Sequence, residues 1–483
     1  MKEKGITLIA LIVTVIVLII LAGISISSLT GEDGTVLNAS KAKLETEVKA
    51  IEEKIELDEI NENNGEDFQF GTLKELIGRE DEYNEILYME DGELVYIKEK
   101  VSEKQAEWLE EMGIKEKQNI IPIYTEEQFR KIGTGEEIEI EEVGGEKFKF
   151  NIDSHYILQN DIDLKCSKEN QWIPIGTASK PFDGILEGKG YTIKGIYIDE
   201  GENIGLFGYN NGTIENINLE GYLNGSNFIG AVVANNRGNG KVVGCTNNVE
   251  MYASGNGNGA IVGRNEGLIE NCENNEYVEF NATSGGICGN NTTTGIIRKC
   301  KNTHEILLKD FAIGGIVGLN AGIVEKCCNT GNILVTTKSG RYSKGGIVGT
   351  NSGSIKYCFN IARVEGNKNW NVGGITGNNE TNGRIEFSYN AGEVIGNVKI
   401  GGMVGINSGN IKNSYAIDNI ELISENTGDI ENCLQLTEKQ LKNKEKIVLE
   451  DGTETNIIEL LNKEEERYKE DSKNQNKGYP IFK

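Results

Sequence analysis

The residues best placed to do chemistry are the cysteines Cys245, Cys272, Cys300, Cys327 and Cys358, a series that Ser388, Ser414 and Cys433 continue. Such a column could ligate a soft metal, form disulfides or supply nucleophiles. Its intervals of nearly thirty residues are unlike the close Cys-x-x-Cys pairs of zinc sites, and no histidine column accompanies it. The spacing favours an inward ladder of small, weakly polar side chains, in which Ile217 and the serines replace cysteine in register. Stacked chains would bring these Cα atoms within disulfide reach. With nine cysteines and an uneven column, oxidation of some pairs stays open and no disulfide framework is expected.

Other candidates are weaker. Asp161 and Asp163, in N-D-I-D-L, could hold Ca²⁺ or act as an acid/base pair. Spacing of two on a strand instead puts both on an outward face, with Ile162 and Leu164 inward, and a Ca²⁺ loop needs more oxygen ligands nearby. The two histidines, His155 and His304, stand in unrelated contexts, so a His-based triad or an H-E-x-x-H zinc site is missing. Neither a metal nor a cofactor is expected. Trp108 reads as core.

These residues sit within a repeat of 26 to 31 residues. Its copies align on Gly205, Ala231, Ala260, Gly286, Gly315, Gly346, Gly374 and Gly402. Three residues on, seven of the eight have glycine, as at Gly318 and Gly349. A turn glycine follows at Gly212, Gly240, Gly267, Gly295, Gly322, Gly353, Gly383 and Gly409, always five residues before the cysteine column. Short runs split by Asn-x-Gly turns read as strands, with positive φ expected at the turn glycine. A period of this length means a solenoid. The expected fold is mainly β, a parallel β-solenoid with three strands per rung, right-handed by the general rule for parallel connections. Eight rungs and a shortened ninth ending at Cys433 give a rod of roughly 40 Å at about 4.8 Å per rung.

The phrase G-G-I-V-G-x-N-x-G-x-I-x-x-C resembles the GLUG repeat of bacterial surface proteins and of non-catalytic regions of some secreted proteases, over about Ile204 to Cys433. The resemblance implies an extracellular, often adhesive β-solenoid without enzymatic activity.

The chain carries 49 basic and 75 acidic residues, a net charge of −26. From Glu32 to Phe150 there are 34 acids and 15 bases, so −19 of that total precedes the repeats. Such a surface repels nucleic acid and anionic lipid. Ile6 to Ile26 has no charge over 21 residues, and a helix of that length, roughly 31 Å, crosses a bilayer core. A cleaved signal, a plain anchor and a pilin-like stem compete. A signal's apolar stretch is shorter and ends in an A-x-A-like site.

The leader M-K-E-K-G followed by I-T-L-I-A-L-I-V resembles the type IV prepilin processing segment. That resemblance implies a prepilin peptidase cutting after Gly5 and methylating Ile6. Ala10 stands where the family has a glutamate that pairs with a neighbouring subunit, which leaves fibre formation open.

The expected organisation is a leader over 1–5, a transmembrane helix over 6–30, and an amphipathic helix over 31–60 whose stripe includes Leu37, Leu44, Val48, Ile51 and Ile55. That helix either packs on a head or stays a solvated linker. A small acidic α+β module (61–120), a solenoid cap (121–200), the repeats (201–433), and a closing segment (434–483) with a helix near Ile457 to Tyr468 follow. L-P-x-T-G is absent, so the amino-terminal helix would be the sole tether.

The functional expectation is a non-enzymatic, membrane-anchored protein of a Gram-positive cell with its bulk outside. It would serve adhesion, or be a minor part of a pilus or secretion apparatus. Its expected partners are the membrane, a prepilin peptidase, and other pilin-like subunits or a host or matrix glycan or protein. The alternative is a carbohydrate-active parallel β-helix, a polysaccharide lyase or hydrolase.

Overall fold

The computed structural model describes residues 41–46, 48–49, 87–90, 93–96, 101–116, 120–308, 311–335, 342–366 and 371–483. The leader, the processing residues Gly5 and Ile6, and the expected transmembrane segment lie outside them. Among the described residues no helix is long and apolar enough to cross a membrane. The chain divides into two compact units, Met1–Asn119 and Ile120–Lys483.

In the first unit Leu87–Glu90 and Glu93–Tyr96 pair antiparallel, and Lys115–Glu116 adds a parallel third strand. The helix Glu103–Glu111 starts at Ser102, which exchanges capping hydrogen bonds with Gln105. Trp108 is core. It is buried with Tyr96, Leu109 and Ile114, and Leu44 and Val48 of the amphipathic stripe join the same cluster.

The second unit is a parallel β-solenoid. Each repeat strand pairs in parallel with its equivalent one rung later, as Val317, Leu319 and Asn320 do with Val348, Thr350 and Asn351. The first sheet holds nine strands, from Phe207–Asn210 to Ile423–Asn426. The second holds twelve, because Ile120–Ile123, His155–Leu158 and Ile185–Glu187 extend it ahead of the repeats. Twelve strands span about 53 Å at ordinary strand spacing.

Three strands per rung describes the first two rungs, such as Val233–Asn236, Lys241–Val243 and Thr246–Ala253, and the shortened last one, Ile423–Asn426, Asp429–Glu431 and Leu434–Leu436. The rung from Ser284 to Leu308 has five. A strand of two or three residues that ends on the first residue of the Gly-Gly pair, such as Ile313–Gly314 or Ser343–Gly345, forms a fourth sheet, and the long third strand splits in two. The split falls just after an asparagine, as at Asn360, whose side chain accepts from the Ala362 amide at 3.3 Å; the same bond at Asn247, from Val249 at 3.0 Å, leaves Thr246–Ala253 whole, so the bond alone does not break the strand.

The turn glycines also differ from expectation, since their φ angles are not positive. The left-handed residue is instead the one before the cysteine column: Asn216, Gly244, Asn271, Lys299, Lys326, Tyr357, Phe387, Asn413 and Asn432, with φ between 46° and 62°. This residue bends the chain from the second sheet into the third, in every rung and with whatever side chain stands there.

The start of the solenoid is closed by the helix Glu126–Arg130, capped by Thr125, and by the hairpin Glu137–Ile140/Glu146–Lys149. Phe129, Phe148 and Phe150 bury themselves against the first rungs. The tail does not close the other end. Its helix is short, Ile457–Leu461, and Tyr468–Lys469 pairs antiparallel with Ile481–Phe482. It packs on the flank of the last rungs, where Tyr357, Phe359, Phe387, Tyr389 and Tyr415 share one cluster with Ile457, Leu461, Tyr468 and Tyr479. The last strand of the second sheet, Asp429–Glu431, is exposed along its length.

Candidate functional site

Inside the repeats, three one-residue-per-rung columns dominate. Cys245, Cys272, Cys300, Cys327, Cys358, Ser388 and Ser414 are fully or almost fully buried, and Cys433 of the short last rung is half-buried. Each side chain donates to the carbonyl two residues back: Cys327 Sγ to Glu325 at 3.3 Å, Ser388 Oγ to Glu386 at 2.9 Å. Serine therefore repeats the cysteine's contacts. All nine cysteines are free thiols. Burial pushes Cys245, Cys272 and Cys327 well above the ordinary thiol range, so these thiols stay protonated and are poor nucleophiles.

The other two columns are asparagine ladders. Asn210, Asn236, Asn265, Asn291, Asn320, Asn351, Asn379, Asn407 and Asn426 each pass an Nδ2 hydrogen bond to the next Oδ1, at 2.7 to 2.8 Å. Asn247, Asn274, Asn302, Asn329, Asn360 and Asn390 do the same at 2.8 to 2.9 Å. A buried amide is stable only when its donors and acceptors are met, and here one rung satisfies the next. The glycines make room. A Cβ on Gly315 or Gly346 would lie 2.4 Å from the Cγ of Asn329 or Asn360. On Gly322 or Gly353 it would lie 2.2 Å from the preceding turn glycine's carbonyl oxygen, and on Gly318 or Gly349 within 2.7 Å of neighbouring backbone.

The remaining sequence candidates do not converge. Asp161 accepts from the Thr192 amide at 2.8 Å and Asp163 from the Lys165 amide at 3.0 Å, both exposed, while Ile162 and Leu164 point inward. These carboxylates hold loop backbone. His155 lies in the strand His155–Leu158 and burial lowers its pKa; His304 is exposed on a later rung. No group of three or more His, Cys, Asp or Glu among the described residues could hold a metal.

What the sequence reading missed lies outside, on the third sheet. Tyr197 and Tyr222 stack with centroids 5.2 Å apart, and Tyr252 follows Tyr222 at 5.8 Å. Acids interleave with the rings: the Tyr252 hydroxyl donates to Glu250 at 2.5 Å, and those of Tyr197 and Tyr277 to Asp199 and Glu279 at 3.4 Å. Tyr252 is pushed up to about 12, first by its bond to Glu250 and then by burial. Tyr277 also rises to about 12, by burial first and then by the charge of Glu279. Beside the row, a hollow of about 270 Å³ is lined by Tyr222, Tyr252, Glu279 and Asn281, and the Oδ1 of Asn281 is buried there without a hydrogen-bond donor among the described residues. Rings, carboxylates and amides along one outer face present stacking and hydrogen-bonding groups to solvent. The signal was one tyrosine per period, in I-Y-I-D, G-Y-L-N, E-M-Y and E-Y-V-E.

No family model and no curated protein matches this chain. Among solved structures, one described as "a putative immunoglobulin A1 protease from Bacteroides ovatus" is similar, at 18% identity over 75% of this chain and 91% of that one, with a TM-score of 0.40.

Proposed function

We propose that this protein is a membrane-tethered, extracellular β-solenoid that binds a partner at the cell surface, in adhesion or as a minor component of a pilus or secretion apparatus. The observation that carries the reading is the outward row Tyr197, Tyr222, Tyr252 with its acids, borne on a solenoid whose interior thiols are shielded and structural. The tether is supported by the sequence alone: the uncharged run Ile6 to Ile26 behind a leader ending in Gly5, which resembles a prepilin segment. The GLUG-like repeat agrees with a surface setting.

Two measurements test it. Protease treatment of intact cells should release fragments of the solenoid, and mass spectrometry of the native protein should find Ile6 as its first residue. Protection of the solenoid on intact cells sinks surface display, and a different first residue sinks the pilin analogy. Turnover of any member of a glycan panel by the purified chain would replace binding with the carbohydrate-active alternative.

A further inference from the structure

A second outward surface lies over the first sheet, where a groove of about 560 Å³ spans the opening rungs of the repeat region. Its floor is one column on three successive rungs, Tyr209, Asn235 and Arg264, in register. The turn after the strand contributes Arg237 and, one rung on, Glu266; the loops before it contribute Glu202, Asn203 and Phe228, and the Glu202 carboxylate is taken up by the Asn227 amide at 2.6 Å and the Ser226 hydroxyl at 3.3 Å.

Arg237 distinguishes this groove. Its guanidinium carbon sits 4.9 Å above the centroid of the Tyr209 ring, and no carboxylate among the described residues comes within ion-pair distance. Arg264, by contrast, is neutralised by Glu266 at 2.7 Å. In a chain of net charge −26 with acids to spare, an arginine laid on a ring without a counter-ion is a recognition group. The ring holds the guanidinium in place without using its N–H donors, which leaves them for a planar anion, above all a carboxylate gripped by two parallel hydrogen bonds.

The wall is built to hold a shape. Asn203 and Phe228 both adopt left-handed backbone, at φ of 55° and 54°. The same bend recurs at Gly257 and Lys399 in other rungs, at φ of 76° and 53°, so the fold sets this part of the wall before any ligand arrives. The Nδ2 of buried Asn235 donates to the Oδ1 of Asn203 at 2.8 Å, so these two amides are positioned in advance.

We propose that this groove binds an acidic saccharide, with Arg237 pairing the sugar carboxylate, the asparagine amides meeting hydroxyls and the Phe228 ring covering an apolar sugar face. Mixed aromatic and amide walls suit a molecule with both hydroxyls and C–H faces. The inference rests on the surface-binding reading and adds to it a second site, apart from the tyrosine row, with a ligand class of its own.

The test is calorimetric titration of the full-length chain with short oligoglucuronates, their carboxyl-reduced counterparts and an acidic peptide of equal charge. The oligoglucuronate should bind, its reduced form at least tenfold more weakly, and the peptide no better than the reduced form. Arg237→Ala should lose at least tenfold for the acidic sugar, with Arg237→Lys, which keeps charge but not the fork, falling between. An unchanged thermal midpoint shows that the turn still folds; if Arg237→Ala lowers it, the Lys variant and the reduced sugar carry the test. Equal affinity for charged and reduced sugars, equal affinity for the peptide, no binding of the oligoglucuronate, or indifference to Arg237→Lys where the Ala variant does not fold overturns the proposal. So does adhesion of cells that persists undiminished with Arg237→Ala. That last result leaves the surface-binding reading standing, whereas a solenoid protected on intact cells removes that reading without touching the titration.

Discussion

The asparagine and cysteine columns both place one buried side chain on each rung, yet they are built on opposite rules. The first asparagine ladder is asparagine in all nine rungs, because each amide is donor to one neighbour and acceptor from the other. The cysteine column admits serine at two positions and isoleucine at a third, because what matters there is a small body whose bonds go to backbone alone, one to its own strand and one accepted from the amide a rung earlier, as Ser388 Oγ accepts from Cys358 at 3.1 Å. One column is specified by hydrogen-bond pairing, the other by volume. A column that is polar and cooperative tolerates little, while one that only fills space drifts.

The sharpest way to break the comparison is Asn320→Leu. Asn320 is 2% exposed, accepts from Asn291 and donates to Asn351, both at 2.8 Å. Leucine strands a donor on one side and an acceptor on the other, each costing about 1–3 kcal/mol, so a loss of about 4 kcal/mol is expected in equilibrium unfolding. A loss under about 1 kcal/mol would mean that the ladder is incidental. Next is Gly322→Ala. Its φ is not positive, so the cost is steric: the new methyl would lie 2.2 Å from the Gly295 oxygen and 2.4 Å from that of Thr292. Prising two rungs apart should cost about 3 kcal/mol, the upper end for overpacking. A Gly→Ala change that cost only a few tenths would point to backbone entropy instead.

The repeat period, the glycine placement and the inward thiols were legible because a solenoid writes each structural column as one residue per period. The ladder was hidden in plain view: Asn320-x-Gly322 is both a turn signal and, stacked in register, a chain of amides, and only the repetition distinguishes them. The left-handed bend was illegible for a different reason. Lys299, Lys326, Tyr357 and Phe387 share no side-chain property, since the fold imposes that conformation from the sheets on either side. Where the tail packs was readable in principle. The residues flanking the column change from Lys299 and Lys301 to Tyr357 and Phe359, then to Phe387 and Tyr389, at the rungs the tail covers. The number of strands per rung was not readable, because Asn247 in the whole strand Thr246–Ala253 and Asn360 at a split are the same residue type making the same bond.

The smallest expected effect is at the cysteines, and it sharpens the contrast through pH. Cys327→Ser reproduces the pattern of Ser388 and Ser414 and should change stability by less than about 1 kcal/mol at neutral pH, checked by chemical denaturation. Amides do not titrate and thiols do. Burial raises Cys245, Cys272 and Cys327 above the ordinary value of 9.0 in the folded chain. The stability they confer is therefore complete below that value and drains away as pH climbs past it, because only the unfolded chain can then release the protons. The slope is about 1.4 kcal/mol per pH unit for each thiol that stays protonated. Cys327→Ser should flatten the alkaline limb by one such increment, while a thiol reagent at pH 8 should reach half-buried Cys166 and Cys433 and leave the ladder untouched until the chain unfolds. Rapid labelling of Cys327 in the native state, or an alkaline slope identical in the variant, would show that the column opens to solvent. Volume alone would then no longer explain its tolerance.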